Sequence, residues 1–151
     1  WGLFDATSAE NILGFSAGGS DGYDQAFDVF ETPINADQNY VEVYFEHEEW
    51  GHSLGDNFTQ DIRGNILADQ ENRTIEWDFN IVSSAEGTIN LDFESVNSYC
   101  YNCIQFIQLT LGDEVYTSLG SDIDNFNIST VLLSNQIISF NLVLEFFNSD
   151  N

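Results

Sequence analysis

The chain has 151 residues, 42% hydrophobic and 15% aromatic, with 26 Asp and Glu against two arginines (Arg63, Arg73) and no lysine, a formal net charge of -24. That length suits one domain with a full core, and so many aromatics exclude the acidic disordered class. The charge repels nucleic acid and anionic membranes, and no run of about 18 apolar residues offers a membrane-spanning helix.

Halophilic adaptation also enriches surface acids, but it gives no reason for thirteen phenylalanines. The first stretch, 1–15, carries Trp1, Leu3, Phe4, Ile12, Leu13 and Phe15 at no clean period. It reads as an edge strand or as an arm that docks on a neighbouring subunit, ahead of a β-sandwich domain over 16–151. A start at Trp1, without Met or a leader, suits a processed, exported product.

Next comes an acidic turn in which Asp21, Asp24 and Asp28 cluster around Gly22. Hard cations take several oxygens at about 2.3–2.6 Å, so a glycine-bent loop of this kind suits calcium. A solvated acidic turn is the competing reading.

Period-two alternation follows. Val41, Val43 and Phe45 alternate with Glu42, Tyr44 and Glu46; Ile75, Trp77, Phe79 and Ile81 alternate with Glu76, Asp78 and Asn80; Ile89, Leu91 and Phe93 alternate with Asn90, Asp92 and Glu94. Each pattern predicts a half-buried antiparallel strand with a wet, acidic outer face, and acids on those faces oppose edge-to-edge pairing. Further strands are expected over 103–111, 114–119, 125–132 and 136–147, separated by Gly-, Asp- and Asn-containing turns. The spacing predicts an all-β fold, an antiparallel sandwich of the immunoglobulin-like or jelly-roll-like kind with about 8–10 strands. The strand over 136–147 is apolar on one face (Ile138, Phe140, Leu142, Leu144, Phe146) and partly so on the other (Ile137, Val143, Phe147). Such a strand is central between layers or covered by a partner.

Several smaller features bear on chemistry. Cys100 and Cys103 suit a small disulfide in an oxidising compartment and redox or metal chemistry in a cytosolic one; the former is favoured. Asp122 and Asp124 begin a calcium-loop pattern but lack its late Glu, a weaker metal candidate. His47 and His52 are spaced His-x4-His, which is not the metalloprotease spacing. The two His and two Cys lie about fifty residues apart, which disfavours a shared zinc site. His47 is expected to end a strand and pack near Trp50, and Arg63 to pair with Asp61 or the acidic turn. Sequons at Asn57, Asn72 and Asn127 arise readily by chance in a chain this rich in Asn, Ser and Thr. No nucleophile elbow is present, and with 26 acids paired carboxylates discriminate nothing.

The ordered series Ser20-Asp21-Gly22-Tyr23-Asp24, Phe27-Asp28, Glu31-Thr32-Pro33, Tyr40 to Phe45, His47, Glu49-Trp50-Gly51, Phe58, Asp61-Ile62-Arg63, Trp77 and Gly87 to Phe93 resembles a recurring domain of secreted bacterial proteins. The resemblance covers about 20–147 and implies an extracellular β-sandwich, commonly one module of an exported or surface protein, with no activity attached.

Two functions follow as expectations. One is a non-enzymatic structural subunit of an extracellular filament or surface assembly. It would form a homopolymer by strand addition, with the 1–15 arm in a neighbour's groove, calcium (Ca2+) offsetting the repulsion, and a secreted, cell-surface location. The alternative is a carbohydrate-binding or accessory module in which Tyr44 and Trp50, with Tyr23, Tyr99 and Tyr101 beside them, offer a glycan platform.

Overall fold

The computed structural model describes residues 8, 11–16, 18–32, 39–64, 72–92, 104–119 and 127–147. Trp1, Leu3, Phe4, Tyr99, Cys100, Tyr101, Cys103, Asp122 and Asp124 lie outside these residues, so the disulfide, the second metal candidate and most of the arm fall outside as well.

Among the described residues ten strands run in chain order: β1 (Ile12–Phe15), β2 (Val29–Phe30), β3 (Val41–Glu46), β4 (Asn57–Arg63), β5 (Asn72–Ser83), β6 (Gly87–Asp92), β7 (Ile104–Leu111), β8 (Glu114–Leu119), β9 (Asn127–Leu132) and β10 (Ile137–Phe147). Seven form a sheet in the order β1-β4-β3-β5-β10-β7-β8, with β2 added against β4, while β6 and β9 form a separate ribbon. The fold is all-β, with two sheets packing as a sandwich. Ile128 and Leu132 of the ribbon belong to one buried cluster with Trp77, Phe79, Ile81, Ile107, Leu109, Phe140 and Leu142 of the large sheet.

The alternation read from the sequence explains which side faces in. Ile75, Trp77, Phe79 and Ile81 are all buried, while Glu76 and Asp78 between them are exposed. Phe79 and Phe140 are opposite each other on β5 and β10 and stack at 5.0 Å, a cross-strand aromatic pair at the centre of the core. β10 buries one of its apolar faces, that of Phe140, Leu142 and Leu144. It is hydrogen-bonded to β5 along eleven residues and to β7 on its other edge, an interior strand of its sheet, while on its second face Ile137 is exposed and Val143 half-buried.

Two features depart from the sequence expectation. β1 pairs with β4 in parallel, Ile12 beside Gln60 through Phe15 beside Arg63, so the sandwich is not wholly antiparallel. Tyr44 also sits on the side of β3 expected to be wet, yet it is only 6% exposed.

Between β1 and β2 the chain turns tightly over the end of β4. Ser16 donates its N–H to the Arg63 carbonyl at 3.0 Å, and Gly19 donates to Ser16 O at 3.1 Å. A Cβ on Gly19 would lie 2.6 Å from Arg63 O and 2.9 Å from Ile62 O, both backbone atoms that cannot swing away. Gly19→Ala is therefore expected to destabilise by about 1–3 kcal/mol, the range for overpacking a tight site. Gly22→Ala, whose Cβ meets open space, should show no steric penalty. Urea denaturation of the two variants checks this contrast.

Candidate functional site

Three ion pairs among the described residues join Glu49, His47, Asp61 and Arg63. β3 ends at Glu46, and His47 leads into a 3-10 turn over Glu48–Trp50 that stops at Gly51 in the left-handed region (φ 57°). Gly51 suits that position because it has no Cβ to clash. The turn folds Glu49 and Trp50 back onto His47. The Glu49 carboxylate Oε1 lies 2.7 Å from His47 Nδ1, and the two rings of His47 and Trp50 stack at 3.7 Å, inclined by 10°.

β4 supplies the other side. Asp61, 1% exposed, places Oδ2 2.9 Å from His47 Nε2. Arg63, two residues on, donates from Nη2 to Asp61 Oδ2 at 2.8 Å. Its Nε lies 2.6 Å from Asp61 Oδ1, a contact with no hydrogen aimed along it, so its attraction is chiefly that of charge. Phe58, fully buried, meets the rings of Trp50, Tyr23, His52 and Phe30 at 4.8–5.9 Å and closes the cluster against water.

The protonation state follows from the partners. Ionised carboxylates only accept, so with Asp61 and Glu49 both charged each ring nitrogen of His47 must donate, and only the imidazolium has two N–H groups. Burial works against that charge, but the hydrogen bonds and charges of Asp61 and Glu49 outweigh it and hold the pKa of His47 above its usual value. Glu49, which burial alone would push up, is held below its usual value by the His47 hydrogen bond. The flat cation on the Trp50 face adds a cation–π attraction. The result is a row of alternating charge, Glu49, His47, Asp61, Arg63, which neutralises itself inside a strongly anionic chain.

Asp28 is buried beside this row. It accepts from the backbone N–H of Asp24 at 2.6 Å and of Ile62 at 2.9 Å, tying the acidic turn to β4. Burial raises its pKa; the two backbone hydrogen bonds pull it down, and the charges of Asp61 and Asp24 push it up again. Asp24 turns its own Oδ1 to the Ala26 N–H at 3.3 Å, and Asp21 is exposed. Among the described residues no group of three or more His, Cys, Asp or Glu side chains is arranged to hold a metal ion. Thus Asp21, Asp24 and Asp28 share a turn without converging on a point, and the backbone groups account for both oxygens of Asp28.

The aromatic platform also looks different in three dimensions. Tyr44 is buried and offers no open face, and Trp50 has one face covered by His47. Trp50 is half-buried, so of the two rings only Tyr44 is closed off by burial. Ile12, Leu13 and Phe15 lie in β1 on the chain's own β4, and Ser8 accepts the Val43 N–H at 3.2 Å.

The role of Asp61 as the centre of the charge row is not legible from alternation. Phe58 and Asp61 are both buried although three residues apart, which period two forbids. A register shift explains it. Val29 is opposite Gln60 while Phe30 is opposite Phe58, so two residues of β4 span one step of β2, a bulge that reverses the inward phase. The visible hint was the proximity in sequence of the acid to one of only two arginines.

Surface charge is divided unevenly. A depression of about 390 Å³ is lined by Glu46, Glu48, Glu49, Asp78, Asn80 and Ser139, and a second of about 280 Å³ shares Glu46 and adds Glu31, Glu42 and Asp56. By contrast, β7 carries no charged residue, and none occurs over the twenty residues from Asn125 to Leu144, which include most of β9 and β10.

Comparison with protein-family models, with curated proteins and with solved structures finds no match. The class the fold defines is an all-β sandwich. Among the described residues no helix is long and apolar enough to cross a membrane.

Proposed function

We propose that this chain is a non-enzymatic structural module that works outside the cell and associates with copies of itself by strand addition, aided by divalent cations such as calcium. The division of charge across the large sheet carries this reading. A chain at -24 repels its own copies unless the contact avoids the acids or counter-ions neutralise them. The β10-β7-β8 side supplies a nearly uncharged surface for contact, while the Glu46–Asp78 side concentrates cations from solution.

The His47 cluster supports the same reading. Both ring nitrogens are engaged by carboxylates and one ring face is covered by Trp50, so the imidazole is occupied by contacts within the chain. Its chemistry goes into holding the 3-10 turn on β4. Secretion fits the lysine-free acidity and the Cys-x2-Cys spacing.

Negative-stain imaging and sedimentation of the purified protein test the proposal, in calcium and in sodium at matched ionic strength, before and after chelation. Assembly that grows with calcium and dissolves on chelation is expected. A monomer at every concentration in both salts would refute self-association, and equal assembly in both would remove the divalent requirement.

A further inference from the structure

Resting on that reading, we infer that the contact between copies is the exposed edge of β8, paired antiparallel with β8 of a second copy about a two-fold axis. β8 ends the large sheet, and among the described residues it pairs with β7 alone. Edge strands are ordinarily blunted by charge, proline or a bulge. β8 has none of these after its first residue: Val115-Tyr116-Thr117-Ser118-Leu119 is uncharged, and its pairing with β7 runs without a register shift. Val115 is 56% exposed. A regular, uncharged, open edge is a template for another strand.

Charge selects the occupant and its direction. The acids of this edge, Asp113 and Glu114, both lie at its beginning. A parallel second copy would place the two Glu114 residues about 5 Å apart, one inter-strand spacing. In the antiparallel arrangement they lie at opposite ends, about 14 Å apart along the strands. That exceeds the screening length of about 8 Å in physiological salt.

Sidedness selects the register. Tyr116 packs against the core while Val115 and Thr117 are exposed. For the two inner faces to continue each other, paired residues must have the same parity. Tyr116 opposite Tyr116 meets that condition and sets Val115 opposite Thr117 of the second copy. The pairing is isologous and joins two sheets into one; growth beyond the pair uses a different surface.

The register gives a test by charge exchange. The doubly substituted chains V115K/T117K and V115E/T117E each place like charges opposite one another across the axis, and mixing them places opposite charges there. Sedimentation velocity of the full chain in 0.15 M salt should show the wild type associating. Each double variant alone should bind its own kind roughly tenfold or more weakly, and the mixture should recover. Circular dichroism checks that the folds match. Should a double variant fold poorly, Thr117→Lys mixed with Val115→Glu sets one opposite-charge pair across the axis with one change per chain, and the mixture should associate more tightly than either single variant alone. Double variants that associate like the wild type would overturn the β8 contact and leave self-association standing. Loss without recovery on mixing would overturn the register and the two-fold pairing with it. A wild type that stays monomeric overturns both this inference and the function it rests on.

Discussion

Asp61→Asn is expected to cost about 3–5 kcal/mol of folding stability, the range for removing one partner of a buried ion pair. At roughly 2–4 °C per kcal/mol for a chain of this size, the melting temperature should fall by about 6–20 °C. The size follows from position. Asp61 is 1% exposed and holds two cations at once, His47 Nε2 at 2.9 Å and Arg63 Nη2 at 2.8 Å. The amide carries no charge, and its NH2 would face one of two groups that also donate. Glu49→Gln is the contrast. Its carboxylate is 66% exposed, so solvent screens the pair and the loss should stay under about 1 kcal/mol. Thermal unfolding of the two variants separates these cases. An Asp61→Asn protein that melts within about 2 °C of the wild type would mean that the charge row does not hold β4 to the 3-10 turn.

The second large effect is a dependence of stability on pH that favours mild acid. His47 has a folded-state pKa above its usual 6.5. Its contribution is therefore complete below the unfolded value and is lost as pH rises through the folded one. Deprotonation removes one N–H, leaving a carboxylate, Asp61 or Glu49, facing a bare ring nitrogen. Asp28, Glu31 and Glu42 act in the same direction: burial raises each of them, so the folded state holds their protons longer, and stability declines as pH rises through their folded values. Glu49 acts oppositely. Its lowered pKa contributes stability above the usual 4.5 that is lost as pH falls through the folded value, an effect reduced by its exposure.

The melting temperature should therefore be highest in mild acid and fall from there toward alkaline pH, measured at constant ionic strength. The groups facing His47 are Glu49 of the 3-10 turn, Asp61 and Arg63 of β4, and the Trp50 ring, with Asp28 behind Asp61. In His47→Gln the slope above pH 6.5 should flatten while the carboxylate part remains. An unchanged slope in that variant would assign the alkaline loss to general charge repulsion.

Much of the architecture was legible in advance. The strands at β3, β5 and β6 announced themselves through alternation, and on β5 the buried residues are those the pattern picks out, because side-chain period in a strand is a local property of the backbone. β10 was expected to be central between layers or covered by a partner; it is interior in its sheet, with Ile137 on its second face exposed. Other matters were not legible. Nothing in Ile12-Leu13-Gly14-Phe15 says that it pairs in parallel with β4, and Tyr44 keeps the phase of an exposed residue while being buried. The acidic turn illustrates the same limit. Asp21, Asp24 and Asp28 are close in sequence, but the register of β4 sends Asp28 to the Ile62 N–H.

By itself the sequence determined an all-β chain with its apolar faces, its charge-free run from Asn125 to Leu144 and its excess of acid. The pairing of Arg63 with Asp61 was among the sequence expectations; the tertiary structure alone brought Asp61 and Glu49 onto His47. A bulge in β4 reversed the phase between Phe58 and Asp61, and a 3-10 turn closed on glycine brought Glu49 and Trp50 onto His47. It also decided which strand lies at the edge, since among the described residues β8 pairs with β7 alone. Contacts between residues far apart in sequence depend on strand order and register, which period-two patterning leaves free.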